Sequence, residues 1–404
     1  MRHDSLHNVL VVGSVSMPAG GFERRRLGLP RLPSAGPQIR RESHHFVRLE
    51  SLSRPVVSLL TKLLRAAGGA ATGGAGGVLL LAGDDEAFAA ALSRAARHAA
   101  LRSAGLEVET ALRARREPPL TLRLRNGRLA LGDGPLLMGI LNVTPDSFSD
   151  GGRFLGRKAA VAQALRMAEE GAAIIDVGGE STRPGARPVP LFEELRRVMP
   201  VLEAVVPALA RLEGERPLVS IDTVKAEVAR RAAAAGADLI NDISGLSFDP
   251  AMPAAVAESS LPVVISHIRK TPRTMGTPPR YAHLFPEIAA FLRRQISLAL
   301  SAGVRPDRIV IDPGIGFGKR RRDSLAILGG LPVLRSLGAP ILIGASRKSF
   351  LGGERDLAPG DRLEGSLAAE ALAIAGGADI IRVHDVRPAA RVAALCAAVL
   401  AGQR

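Results

Sequence analysis

LLMGILNVTPDSFSDGG, residues 136–152, runs from an apolar stretch to Asn142 and then into hydroxyls, carboxylates, one Phe and paired glycines. A parallel strand covered on both faces requires an apolar run of this kind, because water reaches neither side. The same grammar returns downstream as AAIIDVGG, PLVSID, DLINDIS, PVVISH, RIVIDPG, PILIGAS and DIIRVHD. Between these runs lie amphipathic stretches such as RKAAVAQALRMAEEG, KAEVARRAAAAGA and EIAAFLRRQISLALSAG. Eight β runs alternating with helices predict an α/β protein, a (β/α)8 TIM barrel. Just before them, TLRLRNGRLALG alternates about Asn126-Gly127. That dipeptide predicts a two-residue β-hairpin, placed to plug the bottom of the barrel.

The chain ahead of the barrel divides in two. Residues 1–45 are rich in Pro, Gly and Arg, with little periodicity, and read as a disordered tail. Residues 46–117 read as a small α/β or α+β extension of unnamed role. SRPVVSLLTKLLRAA is helical, GGAATGGAGG is a loop or linker, GVLLLAG is a strand, and DEAFAAALSRAARHAALRSAG is a helix opened by acidic residues. The barrel occupies 118–404.

Composition narrows the function classes. The net charge is +15, yet only six of the 54 basic residues are lysines, and the basic residues are spread out apart from the short cluster Arg24, Arg25 and Arg26. No basic ribbon is studded with base-stacking aromatics, so nucleic acid is not the expected partner. The opening apolar run is too short to span a bilayer, and His3 and Asp4 spoil the basic start of a secretory leader. No membrane partner is expected. A single cysteine, Cys396, excludes an intrachain disulfide and fits a reducing, cytoplasmic setting.

The polar residues of the eight runs are not scattered. Asn142, Asp176, Asp222, Asn241, His267, Asp312, Ser346, Arg382 and His384 all fall at or near the C-terminal ends of their strands, where barrel enzymes keep their chemistry. One such residue is explained by capping the next helix; nine converging on one rim predict a site. Asp222, Asn241 and Asp312 suit a flat heterocycle bearing N–H donors and a carbonyl. Arg183, Lys348, Arg382 and His384 form a cationic group suited to phosphate. Asn142 can give an oxygen to a Mg²⁺ that bridges such phosphates. GIGFGK, 314–319, lacks the spacing of a nucleotide-binding phosphate loop. Its glycines predict a tight turn beside the ligand, with Phe317 offering a face.

LNVTPDSFSDGG, GGESTRPGA, VSIDT, NDISG, DPGIGFGK, GASRKSFLG and RVHDV, in this order from about residue 121 onward, resemble the motif set of the dihydropteroate synthases. The resemblance implies a pterin-binding TIM barrel in folate biosynthesis that uses Mg²⁺ and forms a homodimer. It further implies condensation of 6-hydroxymethyl-7,8-dihydropterin pyrophosphate with p-aminobenzoate, giving 7,8-dihydropteroate and pyrophosphate. Carried over by motif, Asp222, Asn241, Asp312 and Lys348 are the pterin set, with Ile268 and Phe317 on the ring's faces. Asn142, Arg183, Arg382 and His384 are the pyrophosphate and metal group. Phe148, Thr182, Pro184 and Ser349 enclose p-aminobenzoate. Asp150, on a TPDSFSDGG lid, joins Asn142, Lys348, Arg382 and His384 as catalytic. A departure is Ser266-His267-Ile268-Arg269-Lys270, where the family commonly has Met-His-Met and then glycine. A pterin-dependent methyltransferase would not need STRPGA, SRKS and RVHD, and a non-catalytic pterin-binding relative would not need every motif position kept.

Overall fold

The computed structural model describes residues 9–13, 45–73, 77–143, 152–183, 185–275, 280–355 and 357–402. Two compact units emerge: Met1–Pro118 with Arg280–Ala290 and Pro332–Gly338, and Pro119–Pro279 with Phe291–Leu331 and Ala339–Arg404.

The first unit carries an antiparallel sheet in the order β1-β2-β4-β3, built from β1 (Leu10–Gly13), β2 (His45–Leu49), β3 (Ala70–Gly73) and β4 (Leu79–Gly83). Helices α1 (Arg54–Ala66), α2 (Asp85–Ala95) and α3 (Arg102–Arg116) join it, so the extension is α+β. Three features differ from the sequence reading. Leu10–Gly13, inside the expected tail, is a strand: it pairs antiparallel with His45–Leu49, and Leu10 and Val11 are buried. Ala70–Gly73, inside the expected linker, is a strand whose small residues lie beside buried β4. The single helix expected from Asp85 breaks after Ala95 and restarts at Arg102. Asp84 caps α2 by accepting from the Ala87 amide at 2.8 Å.

In the second unit, β5 (Thr121–Arg123) and β6 (Arg128–Ala130) form the hairpin. The Leu124 amide donates to the Gly127 carbonyl, so Arg125 and Asn126 make the turn and Gly127, at φ 102°, follows it. The turn thus sits one residue earlier than Asn126-Gly127 predicted. A glycine after the turn serves the same purpose, absorbing the positive φ that returns the strand.

Eight parallel strands follow: β7 (Leu136–Asn142), β8 (Ile174–Gly178), β9 (Leu218–Asp222), β10 (Leu239–Asp242), β11 (Val263–Ser266), β12 (Ile309–Asp312), β13 (Leu342–Ile343) and β14 (Ile380–Val383). Their order is β12-β11-β10-β9-β8-β7-β14-β13, and the bridge Ile311–Ile341 joins the two ends. This is the closed barrel. Its outer helices include α4 (Gly152–Glu169), α5 (Leu191–Leu209), α6 (Ala226–Ala234), α7 (Met252–Ser259), α8 (Leu284–Ser301), α9 (Arg321–Gly329), α10 (Leu363–Ala375) and α11 (Val386–Ala401), of which α8 crosses the boundary between the units. Among the described residues, no helix is long and apolar enough to cross a membrane.

The strand period of two sorts the interior into layers. Met138, Ile174, Leu218, Leu239, Val264, Val310, Leu342 and Ile380 form one buried cluster with Leu122 and Leu131. Leu122 belongs to the hairpin, which therefore closes the N-terminal end. Arg125 fastens it there, donating to the Ala233 and Ser259 carbonyls at 3.2 Å, near the C-termini of α6 and α7. Helix C-termini present unpaired carbonyls and partial negative charge, which a guanidinium matches. Two residues further along, six of the eight strands turn polar at the inward position: Asp176, Ser220, Asn241, Ser266, Asp312 and Arg382. That switch positions the site.

Candidate active site

The pairing register sets Asn142 beside Gly178, Gly178 beside Asp222, and Asp222 beside Asn241 in one lateral row. A Cβ at Gly178 would sit in van der Waals contact with the Asp222 side chain, 3.4 Å away. Below the row lies fully buried Asp176. One of its oxygens, Oδ2, accepts from Arg382 Nε at 2.6 Å and from Asn241 Nδ2 at 3.0 Å. Since a carboxylate only accepts, Asn241 must turn its NH2 inward and its carbonyl oxygen away. Arg382 also donates through Nη2 to Asp222 at 2.7 Å. Two carboxylates thus share one guanidinium. Burial pushes the Asp222 carboxyl up to about 7, against the pull of Arg382 and helped by repulsion from Asp176. Arg382 is itself raised: burial opposes its charge, but Asp176 and Asp222 prevail.

Asp312 stands across the mouth. It accepts from the Gly314 amide at 2.7 Å and from Ser266 Oγ at 3.3 Å. The segment after it folds onto the loop after β11. Gly314 (φ 69°) and Gly318 (φ 62°) have no alternative, since a Cβ on either would lie 1.9 Å from the His267 carbonyl or 2.2 Å from that of Arg269. Ile268 and Phe317 are thereby brought together in a small apolar cluster with Ile243 and Met275. Lys348 reaches over from the loop after β13, bonding the Ile315 carbonyl with its ammonium 4.3 Å from the centre of the Phe317 ring. Burial pushes Lys348 down to about 8, with Asp312 opposing and Arg382 assisting. The expected pterin set, Asp222, Asn241, Asp312, Lys348, Ile268 and Phe317, is therefore gathered at one mouth.

The expected phosphate group is arranged less uniformly. Asn142 and Arg183 are exposed on the rim. Arg382 is engaged with the two aspartates. His384 takes a Ser346 hydrogen bond, its amide donating to Oγ at 3.2 Å with Nδ1 at 3.3 Å. Burial, then Arg382 and Arg347, push its imidazole down to about 4. At neutral pH it offers a hydrogen bond rather than a charge. Neighbouring Arg347, at φ 57°, is a brace: its guanidinium grips both oxygens of Asp385, tying the loop of Lys348 to the end of β14.

Thr182 lines a cleft with Asp222, Thr223, Val224, Lys225 and Pro272. Lys225 joins Glu180 to buried Glu194, which also accepts from Thr223 Oγ1 at 2.6 Å, so the loop after β8 is anchored to the end of β9. Ser349 is exposed at the start of a 3-10 turn. Phe148, Asp150 and Pro184 lie outside the described residues. Sequence reasoning counted Asp176 among the rim residues without a specific role and gave none to Lys319, Glu180, Glu194 or Lys225. Only Asp176 was signalled, as a carboxylate inside an otherwise apolar strand.

Residues 138–384 match the pterin binding enzyme family. A dihydropteroate synthase from Synechocystis sp. is 48% identical over 262 residues, covering 65% of this chain and 89% of that one. This chain belongs to the dihydropteroate synthase family of pterin binding enzymes. Solved structures of Xanthomonas albilineans dihydropteroate synthase agree. The one with 4-aminobenzoic acid superposes with a TM-score of 0.64 at 45% identity, covering 70% of this chain and 98% of that chain. The one in complex with 7,8-dihydropteroate gives 0.62 at 43%, covering 70% and 99%. The family relationship spans the barrel.

Proposed function

We propose that this protein condenses 6-hydroxymethyl-7,8-dihydropterin pyrophosphate with p-aminobenzoate, forming 7,8-dihydropteroate and releasing pyrophosphate. The carrying observation is the gathering of Asp222, Asn241 and Asp312, from three strands, around one mouth beside Lys348 and the Ile268–Phe317 cluster. Acceptors at the edge and an apolar cluster beside them suit a flat bicyclic ring with N–H donors. The ligands of the Xanthomonas structures, 4-aminobenzoic acid and 7,8-dihydropteroate, are the second substrate and the product of this reaction.

The chemistry asks little of any single residue. The C–O bond between the ring's methylene and the diphosphate breaks, the aniline nitrogen bonds to the methylene, and that nitrogen loses a proton. Asp222, Asn241 and Asp312 hold the ring, and orientation of the amine replaces a strong base. Arg183 and Arg382 meet the departing charge, and neutral His384 adds a donor. Asn142, an amide oxygen at a strand end, fits a hard cation. Among the described residues no group of three His, Cys, Asp or Glu could hold a metal. Asn142 is the residue that would hold a Mg²⁺. When bound, it neutralises diphosphate charge. Thr182 and Ser349 are assigned to p-aminobenzoate, as are Phe148 and Pro184, and Asp150 is assigned to catalysis. A second copy would cover Leu372, Leu395 and Val399, exposed apolar residues on the adjoining helices α10 and α11. Free Cys396 fits a reducing, cytoplasmic setting.

The test is pyrophosphate release with both substrates and Mg²⁺. Release that depends on p-aminobenzoate, with one dihydropteroate formed per pyrophosphate, is expected. No release, or transfer of a methyl group from a folate, would overturn the proposal.

A further inference from the structure

Of the six lysines, one is buried: Lys319, the last residue of GIGFGK. Its ammonium has three N–H donors, and three acceptors surround it: His267 Nδ1 at 2.8 Å, the His267 carbonyl at 3.2 Å and the Phe317 carbonyl at 3.2 Å. Burying an ammonium is costly unless its donors are satisfied, and here each has a partner. The partners belong to two different loops. One loop follows β11 and carries Ile268; the other follows β12 and carries Phe317. The two backbones already touch where Gly314 and Gly318 lie against His267 and Arg269. Lys319 is the polar tie across that seam.

We infer that Lys319 is a positioning residue for the pterin, holding Ile268 and Phe317 together in the apolar cluster against which the flat ring packs. This rests on the proposed function. His267, accepting at Nδ1, keeps its remaining proton on Nε2, and its ring edge packs on Phe291 at 4.9 Å and 75°. Ring packing therefore holds the tie at its His267 end. Phe317 in turn lies under the Lys348 ammonium, so a shift of Phe317 disturbs the ring's apolar face and its cationic neighbour together.

Two variants of the full chain test this: Lys319→Met, which removes all three bonds, and His267→Phe, which removes the one to Nδ1. Each is expected to raise KM for the dihydropterin pyrophosphate about tenfold or more, while kcat and the KM for p-aminobenzoate stay within about threefold. The double variant should be no worse than Lys319→Met alone, because that change already removes the Nδ1 contact that His267→Phe removes. An unchanged pterin KM in a folded variant would overturn the inference, as would equal rises in both KM values. If neither variant folds, Lys319 serves the fold rather than the ring, and the inference is also overturned. Wild-type protein in the same assay keeps the two readings apart: an inactive wild type refutes the proposed reaction, whereas an active one with insensitive variants refutes only the role of Lys319.

Discussion

Replacing Asp176 asks how the mouth of the barrel is kept in shape. One oxygen of this fully buried carboxylate takes both Arg382 Nε at 2.6 Å and Asn241 Nδ2 at 3.0 Å, while Oδ1 has no partner. Asp176→Ala removes that oxygen and strands the Asn241 donor. Breaking a buried pair from one side costs about 3–5 kcal/mol. Arg382 keeps its bond to Asp222, which places the expected loss near the low end, about 3 kcal/mol. Asp176→Asn behaves differently. Its carbonyl can occupy the Oδ2 position and accept both bonds, with its NH2 where Oδ1 was unpartnered, so only charge assistance is lost, about 1 kcal/mol. Urea unfolding of the two variants against wild type measures the difference. In parallel, kcat/KM for the pterin substrate should fall about a hundredfold in the alanine variant and by much less in the asparagine variant. Equal losses in both, or an alanine variant within about 0.5 kcal/mol of wild type, would refute the reasoning.

Other outcomes follow from the same geometry. Lys348→Ala and Arg382→Ala are each expected to lower turnover of the pterin substrate at least about a hundredfold, with circular dichroism showing the barrel still folded; wild-type rates would remove their assignment. Sulfonamides, which copy the ring and amine of p-aminobenzoate, should inhibit competitively against it in initial-rate assays. Glu370, on α10, is buried with one oxygen unpartnered, and burial followed by the nearby Asp385 charge pushes its carboxyl up to about 8. The folded state therefore holds this proton more tightly than the unfolded chain. The stability so gained is complete below the ordinary glutamate range and is lost as pH rises through about 8. Relative to Glu370→Gln, wild-type stability should decline by a few kcal/mol between about pH 4.5 and 8 and then run parallel. A constant difference across that window in thermal melts would contradict the assignment.

Much of this was legible in the sequence because a strand's period is short. In IIDVG, Ile174, Asp176 and Gly178 must share a face, as must Leu218, Ser220 and Asp222 in LVSID. An apolar first inward residue followed by polar ones marks a barrel floor with a site above it. The hairpin was legible from its alternation, and its turn was misplaced by one residue because Gly127 supplies positive φ just after a turn as readily as within it. Longer-range ties were not legible. Nothing local shows that Lys319 of one loop meets His267 of another, or that Glu194, on a helix, receives Thr223 and Lys225. Ala70–Gly73 pairs as a strand although its composition reads as a linker, because β4 offers it a buried edge. Such pairings are set by tertiary context rather than propensity.

A crystal structure with the dihydropterin ring bound tests the central claim most directly. The ring should lie at the C-terminal mouth of the barrel, its N–H edge on Asp222, Asn241 and Asp312 and its faces against Ile268, Phe317 and Lys348. A ring bound at the hairpin end, or at the mouth without touching those aspartates, would contradict the account.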